Sequence, residues 1–352
     1  MKPAFKVCDF EIKEGGRVFI IAEAGVNHNQ KLDLALRLID IAAESGADAV
    51  KFQTFKVEDV TTEEGQMASY QEKNIGKVMS QREMLKGLEL PEEFYQTMIQ
   101  RCKEKNILFM STPHGGKKSV DFLESLKVEA YKIGSGDLTN YILLDRVART
   151  KKPIILSSGM ATMEEVKNAI GFVRSRGNNQ IVMLHCTTNY PTPPEEVNLL
   201  AMKTMMEELD TPIGYSDHTQ GNQAAIMAAT LGMAIYECHF TSDKTLPGPD
   251  HVASADPMEL KAKIEAIRKA QVILGKSEKN PNKSEIESML TLVRRSIVAA
   301  KDLKSGHIIA EDDLEAKRPG DGVSPVEFEE FLGKKLKNAI KKDCKIRFED
   351  ME

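Results

Sequence analysis

The stretch AYKIGSGDLTNYILLDRVARTKKPIILSSGMATMEEVKNAIGFVRSRG, residues 130–177, sets out the unit from which most of the chain is built. A short apolar run, Ala130–Ile133, ends in polar residues and gives way to an amphipathic stretch of helical period. A second run, Ile154–Leu156, ends in serines and does the same. Thr162 with Glu165 is the capping-box signature of a helix start, and Gly177 suits the position just past a helix end. Outward from this stretch the theme recurs between Arg17 and about Gly275, with further runs at Val18–Ala22, Ala49–Gln53, Ile107–Ser111, Ile181–His185, Ile213–Tyr215 and Ala234–Phe240. Pro91 and Pro257 suit first helical turns, and Gly46 a helix end. Eight alternating units predict an α/β fold of the closed (β/α)8 TIM-barrel type. The even spacing, and the lack of GxGxxG after the first run, weigh against a doubly wound dinucleotide fold. Between Phe55 and Leu90 the spacing breaks, which predicts a long polar insertion after the second strand, placed to serve as a lid.

Past the eighth unit the chemistry changes. Residues 276–288, KSEKNPNKSEIES, have linker composition, and from Arg294 short apolar runs alternate with KDLKSG and RPGDG turns. The expected division is a barrel over residues 1–275, a linker over 276–290 and a small β-rich module over 291–352.

The 352 residues carry a formal net charge of −5, with a pI near 5.9. That balance argues against nucleic acid or an anionic membrane as partner, so an anionic ligand must meet a local cluster of positive groups. The five cysteines, Cys8, Cys102, Cys186, Cys238 and Cys344, lack CxxC spacing and read as reduced thiols. Residues 1–10 mix charges without a long apolar core, and no apolar run reaches membrane-spanning length, so a cytoplasmic enzyme is expected.

Barrel active sites gather where the strands end, and here nearly every end carries chemistry. In order they offer Glu23, Lys51 and Gln53, Thr112, Lys132 and Ser135, Ser157, His185, Ser216 with Asp217 and His218, and Glu237 with His239. Lys51 and Lys132 would repel one another in one mouth. Either an anion compensates them, helped by the hydroxyls of Thr112, Ser135 and Ser157, or carboxylates such as Glu23 and Glu237 do; the anion is the favoured reading. His218 and His239 end consecutive strands, so their imidazoles can converge on one ion, without the four ligands of a closed zinc site.

The motifs IAEAGVNHN (21–29), KFQT (51–54), STP (111–113), YKIGSGD (131–137), LSSGMAT (156–162), LHCTTNYPTP (184–193), GYSDHT (214–219), ECHFT (237–241), GPDH (248–251) and KRPGDG (317–322) occur in this order. Together they resemble the sialic acid synthases, or N-acetylneuraminate synthases, over nearly the whole chain, and the C-terminal module resembles their antifreeze-like SAF domain. The resemblance implies condensation of phosphoenolpyruvate with an open-chain N-acetylmannosamine, giving N-acetylneuraminate and phosphate. It implies Mn2+ or Mg2+ on His218 and His239. Lys51, Thr112, Lys132, Ser135 and Ser157 are then the phosphoenolpyruvate contacts, with Gln53 and Ser216 nearby, and Glu23, Tyr190 and Asp250 hold or polarise the sugar. Arg318 resembles an arginine that the SAF domain of one subunit inserts into the barrel of another, implying a swapped homodimer. Gln30, His114 and Cys238 depart from the commonest pattern, and Thr188 stands where some of these synthases carry an Asn. The alternatives are a synthase of a related nonulosonic acid, legionaminate or pseudaminate, acting on a diacetamido-trideoxyhexose, and a catalytically silent sugar-binding protein.

Overall fold

The structure is a computed structural model and describes residues 4–67 and 79–352. The chain divides into two compact units, Met1–Gly275 and Lys276–Glu352.

The first unit opens with an antiparallel hairpin, β1 (Phe5–Val7) and β2 (Phe10–Ile12). Eight strands follow: β3 (Phe19–Gly25), β4 (Ala49–Thr54), β5 (Leu108–Pro113), β6 (Tyr131–Ile133), β7 (Ile154–Ser157), β8 (Ile181–Cys186), β9 (Ile213–Asp217) and β10 (Ile235–His239). All their ladders are parallel, in the order β5-β4-β3-β10-β9-β8-β7-β6. The last strand pairs with the first, and β5 lies beside β6, so the sheet curls into the expected (β/α)8 barrel.

Strand parity divides the core into two layers. Phe19, Ile21, Ala49, Met110, Ala130, Ile155, Val182, Leu184 and Ile235 fill the barrel interior, together with Val7 and Ile12 of the hairpin. Phe10 meets Phe19 edge-on at 4.9 Å, which places the hairpin as a plug at the N-terminal end. The alternate residues, among them Ile20, Val50, Tyr131, Leu156, Met183 and Tyr236, face the surrounding helices.

The helix ends follow from local chemistry. Thr162 and Glu165 form a reciprocal capping box on Met163–Ser175. Asp256 caps Pro257–Leu274, where Pro257 takes the first turn. Gly46 and Gly177 follow their helices at positive φ, 86° and 73°.

The insertion after β4 is less polar than its composition suggests. Residues 68–78 of the expected lid lie outside the described residues, but Phe55, Met67, Met84 and Leu88 of the remainder bury themselves against Val26 at the barrel mouth.

The second unit pairs β11 (Ser296–Ala299) with β12 (Leu314–Lys317) over a small core of Ile297, Leu303, Ile309, Phe331, Leu336, Ile346 and Met351. Ahead of it, residues 285–293 wind into helical turns. The spacing of Ile286, Met289, Leu290 and Val293 suits such turns.

Asp217 was expected among the polar groups of the mouth. Instead it lies on the helix-facing side of β9, because it shares parity with Tyr215. Its carboxylate meets Lys263 Nζ of the last barrel helix at 2.9 Å and accepts from the hydroxyls of Tyr236 and Thr219 at 2.6 and 2.7 Å. Burial opposes its ionisation, but Lys263 and these donors outweigh burial and hold the carboxyl below its ordinary range. A depressed carboxyl stabilises the fold above its unfolded value, about 4, and that contribution is lost as the pH falls through the folded value. Lys263→Met should therefore lower stability by about 3–5 kcal/mol at neutral pH, since it strands a buried carboxylate. The deficit should shrink as the pH approaches 4. Urea unfolding at several pH values checks this, and equal midpoints for variant and wild type at pH 7 would overturn it.

Candidate active site

Followed upward past the apolar layer, the inward parity of the strands becomes polar. Glu23, Lys51, Gln53, Thr112, Lys132, Ser157, Ser216, Glu237 and His239 all continue the inward rows. With Ser135, Tyr190, His218 and Asp250 from the following loops, they line one cavity of about 220 Å³. The remaining sequence-predicted residue, Arg318, lies in the second unit on an exposed turn, where its Nε donates to Val293 O at 3.1 Å.

At the floor four charged groups form an alternating chain. Lys51 Nζ lies 2.8 Å from Glu23 and 3.6 Å from Glu237, and Lys132 Nζ lies 3.2 Å from Glu237. Each of the four is at most 3% exposed. Thr112 accepts from Lys51 at 3.1 Å, Ser216 donates to Glu237 at 2.9 Å, and Gln53 donates to Glu23 at 3.3 Å. The lysines are thus compensated by Glu23 and Glu237, the second of the two arrangements expected from the sequence. The reason is burial: each buried ion costs several kcal/mol of lost hydration, which only close opposite charge offsets.

The four groups do not titrate alike. Burial raises the Glu23 carboxyl above its ordinary range, opposed by Lys51 and assisted by Glu237. Burial also opposes ionisation of Glu237, but Lys132 and Lys51 outweigh it and hold that carboxyl low. Burial lowers Lys132, whereas on Lys51 the pull of Glu23 and Glu237 exceeds burial and raises it. Glu23 is thus the carboxyl that takes a proton most readily, and Lys132 the ammonium that releases one most readily. Environments that push paired groups apart in this way suit acid–base work.

His218 and His239 stand beside this floor with ring centroids 5.4 Å apart. Tyr190 packs over His218 at 4.1 Å and meets His239 edge-on at 5.4 Å. His218 Nδ1 donates to Thr187 O at 2.7 Å, which leaves the Nε2 lone pair for a ligand. Burial holds His239 neutral, and its Nδ1 is buried with no hydrogen-bond partner. Among the described residues no three His, Cys, Asp or Glu side chains gather as a ligand set. The pair thus offers two imidazole nitrogens to an open cation site and does not make a closed structural one.

The hydroxyls are arranged for an incoming acceptor. Ser157 Oγ is buried without a partner. Ser135 Oγ accepts from Gly159 N at 3.1 Å. A Cβ at Gly159 would come within 2.1 Å of Thr188 Oγ1 and 2.6 Å of Ser135 Oγ, so a larger residue would turn both hydroxyls away. Asp250 is half-buried at the rim, and burial together with the charge of Glu23 pushes its carboxyl up to about 6.

His185, another expected strand-end candidate, faces the helices. Its Nε2 lies 2.8 Å from Val197 O, and its ring stacks on Tyr215. β8 runs one residue further than the apolar run suggests, so parity sends Cys186 into the cavity instead. Its Sγ lies 3.7 Å from Ser135 Oγ and 3.9 Å from His218 Nδ1. Burial opposes charge on both Cys186 and His218, but each favours the other's charged form, which lowers the thiol and raises the imidazole. The parity of β8, with Val182 and Leu184 inward, was the signal that could have found it.

The NHN and GPDH motifs clasp the rim. Asn27 Nδ2 donates to Phe240 O and Ser254 Oγ at 2.8 and 3.0 Å. His251 spans Thr241 Oγ1 and Asn29 Oδ1 at 2.7 and 3.3 Å. Ser254 Oγ in turn donates to Asp250 O at 2.7 Å, so the loop carrying Asp250 is tied to the one that follows Glu23.

Comparison with known proteins gives the family. The NeuB family matches residues 38–279 and the SAF domain residues 294–352. The chain is 44% identical over 338 residues to the N,N'-diacetyllegionaminic acid synthase of Legionella pneumophila, covering 95% of this chain and 94% of that one. It is 34% identical over 328 residues to the N-acetylneuraminate-9-phosphate synthase of Homo sapiens, covering 92% and 90%. Among solved structures, the N-acetylneuraminic acid (sialic acid) synthetase of Leptospira borgpetersenii serovar Hardjo-bovis superposes with a TM-score of 0.73 at 34% identity, covering 82% of this chain and 96% of that one. The chain belongs to the NeuB family, and its C-terminal module is a SAF domain.

Proposed function

We propose that the protein condenses phosphoenolpyruvate with an open-chain 2,4-diacetamido-2,4,6-trideoxyhexose, giving a nine-carbon acid of the legionaminic type and phosphate. The observation that carries the reaction is the floor itself: two buried lysines, three hydroxyls and two lone-pair-bearing imidazoles open into one cavity. The sugar rests on the comparison, where identity to a legionaminic acid synthase, 44%, exceeds that to a neuraminate-9-phosphate synthase, 34%. It replaces the N-acetylmannosamine favoured from the motifs alone.

Lys51 and Lys132 receive the phosphate and carboxylate of phosphoenolpyruvate, with hydrogen bonds from Thr112, Ser135 and Ser157. His218 and His239 would hold a divalent ion, Mn2+ or Mg2+, whose chemistry there is to polarise the aldehyde oxygen. Tyr190 and Asp250 orient the sugar so that C3 of phosphoenolpyruvate faces C1 of the aldehyde. The C3–C1 bond forms, water adds at C2, and the C2–O bond to phosphate breaks, leaving the keto acid. An anion arriving beside Glu23 raises its proton affinity further, so Glu23 is the residue that carries the proton during water addition. The lysines hold the charge on the departing phosphate. Arg318 reaches the mouth of a second copy's barrel from the KRPG turn, so the working unit is a homodimer.

The test is phosphate release from phosphoenolpyruvate with this sugar, together with the mass of the nine-carbon product. Chelation should abolish release, and Mn2+ should restore it in wild type but not in His218→Ala or His239→Ala. Full turnover in excess chelator would remove the metal from the reading. In the same assay Lys132→Ala should raise KM for phosphoenolpyruvate roughly tenfold to a hundredfold and that for the sugar far less, as befits a lost charge-assisted contact. An unchanged KM and kcat would refute that role. Mixing Arg318→Ala with Lys51→Ala chains should restore up to one working site per mixed dimer, because an intact barrel then borrows an intact arginine. Inactive mixed dimers, or a fully active monomer, would defeat the exchange.

A further inference from the structure

The cavity has one wall unlike its floor. The helix Gln81–Lys86 starts at a reciprocal capping box between Ser80 and Glu83, and the insertion carrying it is tied down by Gln30 Nε2 donating to Lys86 O at 2.8 Å and Val57 N donating to Glu89 Oε1 at 2.7 Å. Its apolar residues bury against Val26 and Phe55. Fixed in this way, Met84, Leu85 and Leu88 line the same cavity as the lysines, alongside Val26 and Pro249. Floor and wall differ in origin: the floor is built from strand ends inside the barrel, the wall from loops beyond them. The cavity that holds the lysines and imidazoles is thus bounded, away from the strand ends, by an apolar surface that the far end of a ligand can meet. Among the described lining residues the lysines belong to the floor and are paired there, and His114 is held at 3.2 Å by Asp137.

We propose that Met84, Leu85 and Leu88 form, with Val26 and Pro249, a specificity wall that receives a methyl-bearing sugar end and disfavours a hydroxyl or phosphoryl group at C6. This rests on the sugar-condensing reading above and names the part of the sugar that is read. A C6 hydroxyl against the side chains of Met84, Leu85, Leu88, Val26 and Pro249 gives up water without gaining a partner from them, whereas a C6 methyl gives up nothing and adds apolar contact. Among the described residues of this wall none offers a phosphoryl group a cation.

Two matched pairs of sugars test it: 2,4-diacetamido-2,4,6-trideoxymannose against its 6-hydroxy counterpart, and N-acetyl-6-deoxymannosamine against N-acetylmannosamine. Within each pair the wild type should favour the 6-deoxy member in kcat/KM by roughly tenfold to a hundredfold, the range open to an apolar pocket facing an added hydroxyl. Met84→Gln and Leu85→Gln should bring the ratio toward unity, while Met84→Leu keeps it. The ratio is its own control for folding, because partial unfolding lowers both members equally. Equal efficiency within the pairs, or a preference that survives both glutamine variants, overturns the wall alone. Phosphate release with none of the four sugars overturns the reading on which it rests.

Discussion

The alternation of charge from Glu23 through Lys51 and Glu237 to Lys132 is the constraint around which the rest of the molecule is arranged. Four ions at such burial are tolerable only in that order, and the order exists only because the barrel closes. β10 lies in register beside β3, with His239 opposite Glu23, and β3 lies beside β4, with Glu23 opposite Lys51. Closure thus brings the last strand's carboxylate and imidazole to the first strand's carboxylate. An open doubly wound sheet built from the same eight runs would keep its first and last strands apart, stranding Lys51 with one carboxylate and Lys132 with none. Fold and site are one decision.

Such a floor is not there for stability. Apolar residues of similar volume in these positions would stabilise the barrel as well or better, since buried ion pairs rarely recover their hydration. The stability comes from elsewhere: from the inward apolar layer beneath the floor, the hairpin that plugs it, and the helix-facing layer outside. In the proposed reaction an arriving anion exchanges partners with carboxylates already in place, and Glu23, the carboxyl raised by burial, is the one able to answer by taking a proton.

Much of this was legible in the sequence because the same residues serve both readings. Apolar runs mark strands, and the polar residues that end them mark the site, so the eight runs match the strands to within three residues at every end. The misses have physical causes. Asp217 and His185 sit at strand ends like the others, but alternate side chains of a strand face opposite sides, and a residue list that ignores parity cannot tell mouth from helix layer. Parity would have set aside both and raised Cys186. The pairing of the lysines is harder to read, because opposite charges on strands distant in sequence become neighbours only through closure. The insertion looked polar by composition, yet Met67, Met84 and Leu88 gather in space into a cluster that no local window reveals.

On the proposed function, chemistry and selectivity are carried by different parts of the chain. Of the groups that would meet phosphoenolpyruvate, Lys51 and Ser157 project from strands laddered on both sides and Thr112 and Lys132 from strands laddered on one, and a shift in one charged side chain would disturb the charge order of all four. The groups that would meet the far end of the sugar come from loops after β3, β4 and β10, joined to the barrel by a small apolar cluster and a few hydrogen bonds. Changing an apolar residue in that wall alters what it accepts without unpairing a buried charge. Rigid strand ends beneath adaptable loops let one condensation serve sugars that differ only at their far ends. On this arrangement the floor determines which bond is made, and the wall determines which sugar brings the aldehyde.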